Sequence, residues 1–144
     1  MKVLVINGPN LNRLGKREPN IYGKGTYEDL CKFISDSALA LEVGIDFYQS
    51  NIEGEIVNAI HRAEEEYDGI IINPGAYTHY SYAILDALKS VNIPAVEVHI
   101  SNIHKREEFR RHSVTAEGCQ GVICGLGFYG YVAALHYLKE TIGE

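Results

Sequence analysis

The sequence predicts an α/β protein built on a parallel sheet, and three observations predict it. Five short apolar segments, rich in β-branched residues, recur along the chain. Stretches of helical periodicity separate them. The length, 144 residues, suits one domain spanning 1–144. Strands alternating with helices are joined by right-handed crossovers, so the strands run parallel with helices on both faces. At this length the leading architecture is a flavodoxin-like, five-stranded doubly wound sheet in three α/β/α layers. A (β/α)8 barrel needs about 250 residues and is excluded.

Each element has its own signal. KVLVI (2–6), GIDFYQ (44–49), GIIIN (69–73), AVEVH (95–99) and QGVICG (120–125) read as buried parallel strands, because strands covered on both faces are apolar runs. Thr26 with Asp29 resembles a capping box, and Leu30, Ile34 and Leu41 recur on one helix face. Ser50 with Glu53 predicts a second, cleaner box, followed by Ile56, Ile60 and Ala63. A third helix is expected to start near Thr78 or His79 and to bury Ala83, Leu85 and Leu88. A short helix is expected over roughly 103–111, and a last one with Val132, Leu135, Leu138 and Ile142. No linker, repeat or low-complexity tract interrupts the pattern.

Composition narrows the function classes. A formal net charge of −6 argues against general nucleic-acid binding. Of the 13 Lys and Arg residues, eight fall in two stretches: Arg13, Lys16, Arg17 and Lys24, then Lys105, Arg106, Arg110 and Arg111. That is a local anion site on an acidic chain, or simply solvated charge, the plainer reading for Lys105, Arg106 and Arg111. No 18-residue apolar run suggests a membrane span. MKVLVING is too short an apolar run for a signal peptide, so a cytoplasmic protein is expected. Cys31, Cys119 and Cys124 form no CxxC pair and read as buried free thiols in a reducing compartment.

In a doubly wound sheet, ligands bind beyond the carboxyl ends of the strands. The segments leaving the five predicted strands are NGPNLNRLGKREPNIYG, QSN, NPGAYTH, HISNIHKREEFRRH and GLGFYG. Asn, Arg, Tyr, His and Ser therefore converge on one rim, as in an enzyme. GKREPNIYGKG (15–25) has glycines at both ends and neither helical nor strand periodicity, so it reads as an active-site lid bearing Arg17 and Tyr22. GLGFYG (125–130) matches GxGxxG, yet it comes after the last strand, where no next strand can supply a ribose-binding acid. Its glycines read as a tight turn and close helix–sheet packing.

GPNLNRLGKREPNIYG (8–23), QSNIEGE (49–55), NPGAYTH (73–79), EVHISNIHKREEFRRHS (97–113) and GLGFYGY (125–131) together resemble the type II 3-dehydroquinate dehydratases, in order over nearly the whole chain. The resemblance implies trans-elimination of water from 3-dehydroquinate to 3-dehydroshikimate through an enolate, within the shikimate pathway. It implies no metal or organic cofactor, and a homo-dodecamer built from trimers. It implies Tyr22 as general base and Arg17 as its activator. Asn10 would support the enolate through a water. His99 would be the general acid, its ring held by Glu97. Asn73, the Ile100 backbone and Ser101 would bind carboxylate; His79 and Arg110 would bind hydroxyls. Asp86 would reach a neighbouring subunit's site. Tyr80 and Leu85 depart from the family pattern, which more often has a hydroxyl residue and a basic one there.

The chemistry also stands on its own. A free Tyr has a pKa near 10, so about one in a thousand is ionised at pH 7. Lowering it by two or three units takes roughly 3 to 4 kcal/mol. One Arg about 4 Å away, at an effective dielectric near 20, supplies about 4 kcal/mol. Glu97 lies two residues before His99, on the same strand face, and a carboxylate there sets the His tautomer and favours its charged form. His79, His99 and His104 match no zinc spacing. None of Lys2, Lys32, Lys89 and Lys139 falls on the rim, which speaks against a Schiff base. Two other classes stay open: a nucleotide- or flavin-binding module on the same fold, and a non-catalytic carboxylate sensor.

Overall fold

The computed structural model describes residues 1–16, 18–22 and 24–142, with Tyr22 described by its backbone alone. Five parallel strands form one sheet: β1 (Lys2–Asn7), β2 (Gly44–Gln49), β3 (Gly69–Asn73), β4 (Ala95–His99) and β5 (Gly121–Cys124). Their order is β2-β1-β3-β4-β5. A single helical turn, α1 (Pro19–Tyr22), sits inside the predicted lid, so that segment is not wholly irregular. The connections are α2 (Tyr27–Ala40), α3 (Glu53–Glu66), α4 (Tyr82–Ser90) and several 3₁₀ turns, and α5 (Tyr129–Ile142) comes last.

The sheet separates two apolar cores. Val3, Val5, Ile71, Val96 and Val98 face α2 and α5, meeting Leu30, Ile34, Leu135 and Leu138. Leu4, Ile6, Ile70 and Ile72 face α3 and α4, meeting Ile56, Ile60, Ile84 and Leu88. β1, β3 and β4 are the buried runs predicted. β2 and β5 are only partly covered, because they are the sheet's two edges. β5 is shorter than predicted, with Gln120 and Gly125 outside it, because its neighbour β4 ends at His99, opposite Cys124.

The capping box of α2 forms: Thr26 Oγ1 accepts from Asp29 N–H at 3.1 Å, and Asp29 accepts from Thr26 N–H at 3.0 Å. Ala38 rather than Leu41 completes its buried stripe, since Leu41 already caps the helix. The box predicted at Ser50 and Glu53 does not form. Ser50 Oγ accepts from Ile52 N–H and donates to Glu55 at 2.6 Å. The Glu53 carboxylate instead receives Ser81 Oγ at 2.6 Å. Ser81 is also the N-cap that starts α4 at Tyr82, later than predicted, by accepting from Ile84 N–H. Thr78 and His79 end a separate 3₁₀ turn, Gly75–His79, and the phase shift buries Ile84 while Ala83 is exposed. The helix predicted over 103–111 is two 3₁₀ turns, Ile103–Lys105 and Glu108–Arg111, broken by extended backbone at Arg106. Cys31, Cys119 and Cys124 are half-buried free thiols rather than buried ones.

The GxGxxG stretch behaves as a packing device. Gly125 has φ 87°, and a Cβ on Gly130 would press Val98 at 3.2 Å. Gly8 meets a harder constraint where the loops after β1 and β3 touch. Its N–H donates to Asn73 O at 2.8 Å, and a Cβ there would lie 2.4 Å from Pro74 O. Backbone on both sides cannot yield, so Gly8→Ala is expected to cost at least about 1–3 kcal/mol. Gly54, on the exposed first turn of α3, has nothing within 4 Å of such a Cβ. Gly54→Ala is expected to stabilise by about 0.5–1 kcal/mol. Urea unfolding of the two variants, run side by side, checks both signs.

Candidate active site

The order β2-β1-β3-β4-β5 reverses direction between β1 and β3, so connections leave these strands toward opposite faces and a crevice opens between them. A cleft occupies that position. It is partly open to solvent and lined by both polar and apolar groups, as small-molecule sites are. Asn10, Asn73, His79, His99, Ile100, Ser101 and Arg110 all line it, as the sequence suggested. Arg17 and the Tyr22 side chain lie outside the described residues. Asp86 does not reach this cleft; it sits on the exposed side of α4.

Asn73 ends β3 and is almost fully buried. Asn10 stands in left-handed backbone (φ 71°), the turn that swings the chain after β1 across the cleft, and its N–H donates to Asn51 Oδ1 at 3.0 Å. The Ile100 carbonyl accepts from Gly127 N–H at 3.1 Å, so β4's exit is tied to the loop after β5. Arg110 runs over the Phe109 ring at 4.8 Å and donates from Nε to Glu107 at 2.6 Å.

His99 ends β4 and is 6% exposed; Glu97, two residues earlier on the same face, is 0% exposed. Glu97 Oε2 accepts from His99 Nε2 and from Ser113 Oγ, both at 2.8 Å. Oε1 accepts from Thr115 Oγ1. Thr78 Oγ1 joins both hydroxyls, at 2.9 Å to Ser113 and 2.6 Å to Thr115. Burial alone would raise the Glu97 pKa, but the donors from His99, Thr115 and Ser113 outweigh it and hold the carboxyl below its usual range. Since Glu97 occupies His99 Nε2, Nδ1 is the nitrogen left for a ligand.

His79 donates from Nδ1 to His112 O at 2.7 Å, which leaves Nε2 as its free acceptor. Burial lowers the His79 pKa despite that carbonyl, and His99 and Arg110 nearby push the same way. His79 is therefore set up to hydrogen-bond as a neutral ring. His112 contributes through its backbone carbonyl.

Sequence reasoning missed four contributors. Arg13 and Arg106 line the cleft, although as sequence they showed only charge. Ser113 and Thr115 hold Glu97; the i, i+2 spacing of two hydroxyls just after the basic run was their only signal.

The Glu97 shift has a pH signature. A carboxylate with a depressed folded pKa contributes stability in full above its unfolded value, 4.5, and loses it as pH falls through the folded value. Glu97→Gln leaves donors facing an amide NH₂, and is expected to cost about 3–5 kcal/mol at pH 7. Denaturant melts at stepped pH should show the gap to the parent protein constant above pH 4.5 and narrowing below it.

Comparison with known proteins identifies the family. A family model described as class II dehydroquinase matches residues 1–139. The 3-dehydroquinate dehydratase of Clostridium acetobutylicum is 63% identical over 144 residues, covering 100% of both chains. The 3-dehydroquinate dehydratase of Thermotoga maritima is 60% identical over 144 residues, covering 100% of this chain and 99% of its own. The solved type II dehydroquinase of Butyrivibrio crossotus superposes with a TM-score of 0.94 at 55% identity, covering 96% of this chain and 97% of its own. By the family model, by sequence identity and by superposition, the chain belongs to the class II dehydroquinase family.

Proposed function

We propose that this protein dehydrates 3-dehydroquinate, the substrate that its relatives' names give for them, and that it does so by trans-elimination to 3-dehydroshikimate. The observation that carries this reading is the His99–Glu97 pair set into a cleft whose other wall is Asn73. A flavin or nucleotide module is not favoured, because the GxGxxG glycines serve turn and packing.

On this reading Tyr22, activated by Arg17, removes the C2 proton, and the electron pair moves onto the ketone oxygen as an enolate. Asn10 supports that oxygen through a water. The enolate then collapses and the C1–O bond breaks. His99 delivers a proton from Nδ1, so the hydroxyl leaves as water, and Glu97 steadies the ring as its charge changes. Asn73, the Ile100 backbone and Ser101 receive the carboxylate. Neutral His79 and Arg110 meet the hydroxyls, and Arg13 and Arg106 add attraction for an anion. No metal or organic cofactor enters these steps. Asp86 would act in a neighbouring subunit's site within a homo-dodecamer, and the cytoplasm is the expected compartment. Among the described residues, no helix is long and apolar enough to cross a membrane.

The test is the ultraviolet absorbance of the conjugated enone formed from 3-dehydroquinate, monitored with a chelator present. Steady turnover is expected, with kcat falling about 10²–10⁴-fold in Tyr22→Phe and in His99→Ala. Folded protein that forms no enone, or a Tyr22→Phe variant with near-parent kcat, would overturn the reading or its base. Size-exclusion with light scattering should give about twelve subunits; a monomer would remove the role proposed for Asp86.

A further inference from the structure

Asn7 and Asn73 are the last residues of β1 and β3 and stand opposite each other in the register. Strand alternation turns both toward α5, on the side of Val5 and Ile71. Between them α5 inserts Tyr131. Asn7 and Tyr131 are 0% exposed and Asn73 4%. Tyr131 Oη donates to Asn7 Oδ1 at 2.7 Å. Asn73 Nδ2 donates to Tyr131 Oη at 2.9 Å. Gly75 N–H donates to Asn73 Oδ1 at 3.1 Å.

The direction of this chain is set by what each group is able to do. Gly75 N–H can only donate, so it demands the oxygen of Asn73. The Tyr131 hydroxyl, its proton spent on Asn7, can only accept, so it demands the nitrogen. Both ends agree, and the second N–H of Asn73 Nδ2 remains for the cleft that Asn73 lines. Burial pushes the Tyr131 phenol up, the Asn73 bond pulling only partly against it, so the hydroxyl keeps its proton. Asn7 Nδ2 has no partner of hydrogen-bond geometry among the described residues, although the Tyr27 hydroxyl lies within its influence.

We propose that Tyr131 and Asn7 are positioning residues: a buried relay that locks the Asn73 amide with an N–H facing the cleft and its oxygen turned away. The cleft wall is thereby a fixed donor, suited to an anionic or carbonyl oxygen of the ligand and unsuited to a donor. The inference rests on the proposed dehydratase reading for its substrate, and on this structure for its geometry.

The test compares Tyr131→Phe, Asn7→Leu and Asn7→Asp in steady-state turnover of 3-dehydroquinate. Tyr131→Phe leaves Asn73 held at one end only. Asn7→Leu frees the Tyr131 proton to compete for Asn73. Both are expected to raise KM roughly ten-fold, about one hydrogen bond, with kcat within about two-fold. Asn7→Asp keeps an acceptor for Tyr131, so its KM should stay within about three-fold of the parent. A purely structural role gives the reverse order, because Leu is apolar and well matched in size whereas Asp buries a charge. That reverse order, or an unchanged KM in Tyr131→Phe, overturns the proposal. If the parent protein itself forms no enone, the dehydratase reading is what fails. The relay is then decided by a crystal structure of Tyr131→Phe: an Asn73 amide that has turned supports it, and an unmoved one overturns it.

Discussion

A carboxylate with no water contact sits near the middle of this protein, and much around it depends on that one charge. Burying an ion costs several kcal/mol even after relaxation, unless donors surround it. Glu97 draws its donors from different parts of the chain: His99 on its own strand, and Ser113 and Thr115 on the segment before β5. Thr78, on the turn after β3, bridges the two hydroxyls. Val114 N–H then donates to Thr78 O at 2.8 Å, and the neighbouring His112 carbonyl takes His79. Loops that would otherwise be independent are pinned together because one charge needs them all. The rigidity that orients His99 and His79 is a by-product of satisfying Glu97.

The second organising feature is parity. Residues along a strand alternate between faces. Asn7 and Asn73 therefore face α2 and α5, whereas Glu97 and His99 face the side of α3 and α4. The cleft at the β1/β3 switch collects groups from both faces. One wall is neutral and built from amide and phenol hydrogen bonds. The other is ionic and built around Glu97. This division suits a reaction that must bind an anion firmly and still move a proton.

Strand identity is legible because β1, β3 and β4 are buried on both faces and leave unbroken apolar runs. Edge strands β2 and β5 keep such composition while being half covered, so their composition overstates their burial. Seven cleft-lining residues can be named because the fold class points to the ends of the strands and the family resemblance picks out residues there. The failures have a common cause. Ser50 and Glu53 carry a local capping signal, yet each finds a better partner beyond that box, in Glu55 and Ser81. Ser113, Thr115 and Tyr131 act on residues 16, 18 and 58 positions away, and no local periodicity encodes such pairs.

The same parity bears on stereochemistry. Residues 8–26 join β1 to α2, and α2 packs on the face that holds Asn7 and Asn73. On the proposed reading the base, Tyr22, belongs to that connection, while the acid, His99, rises from β4 on the other face. On that reading a substrate lying between β1 and β3 meets its acid from the α3 and α4 side, which leaves the α2 and α5 side for the base. A trans-elimination needs that arrangement, because the proton and the hydroxyl depart from opposite faces of the ring. A single residue serving both steps could not reach both groups without moving across the substrate. Two residues from opposite sides of a doubly wound sheet can, and the switch between β1 and β3 is where this topology brings the two sides within reach of one small molecule.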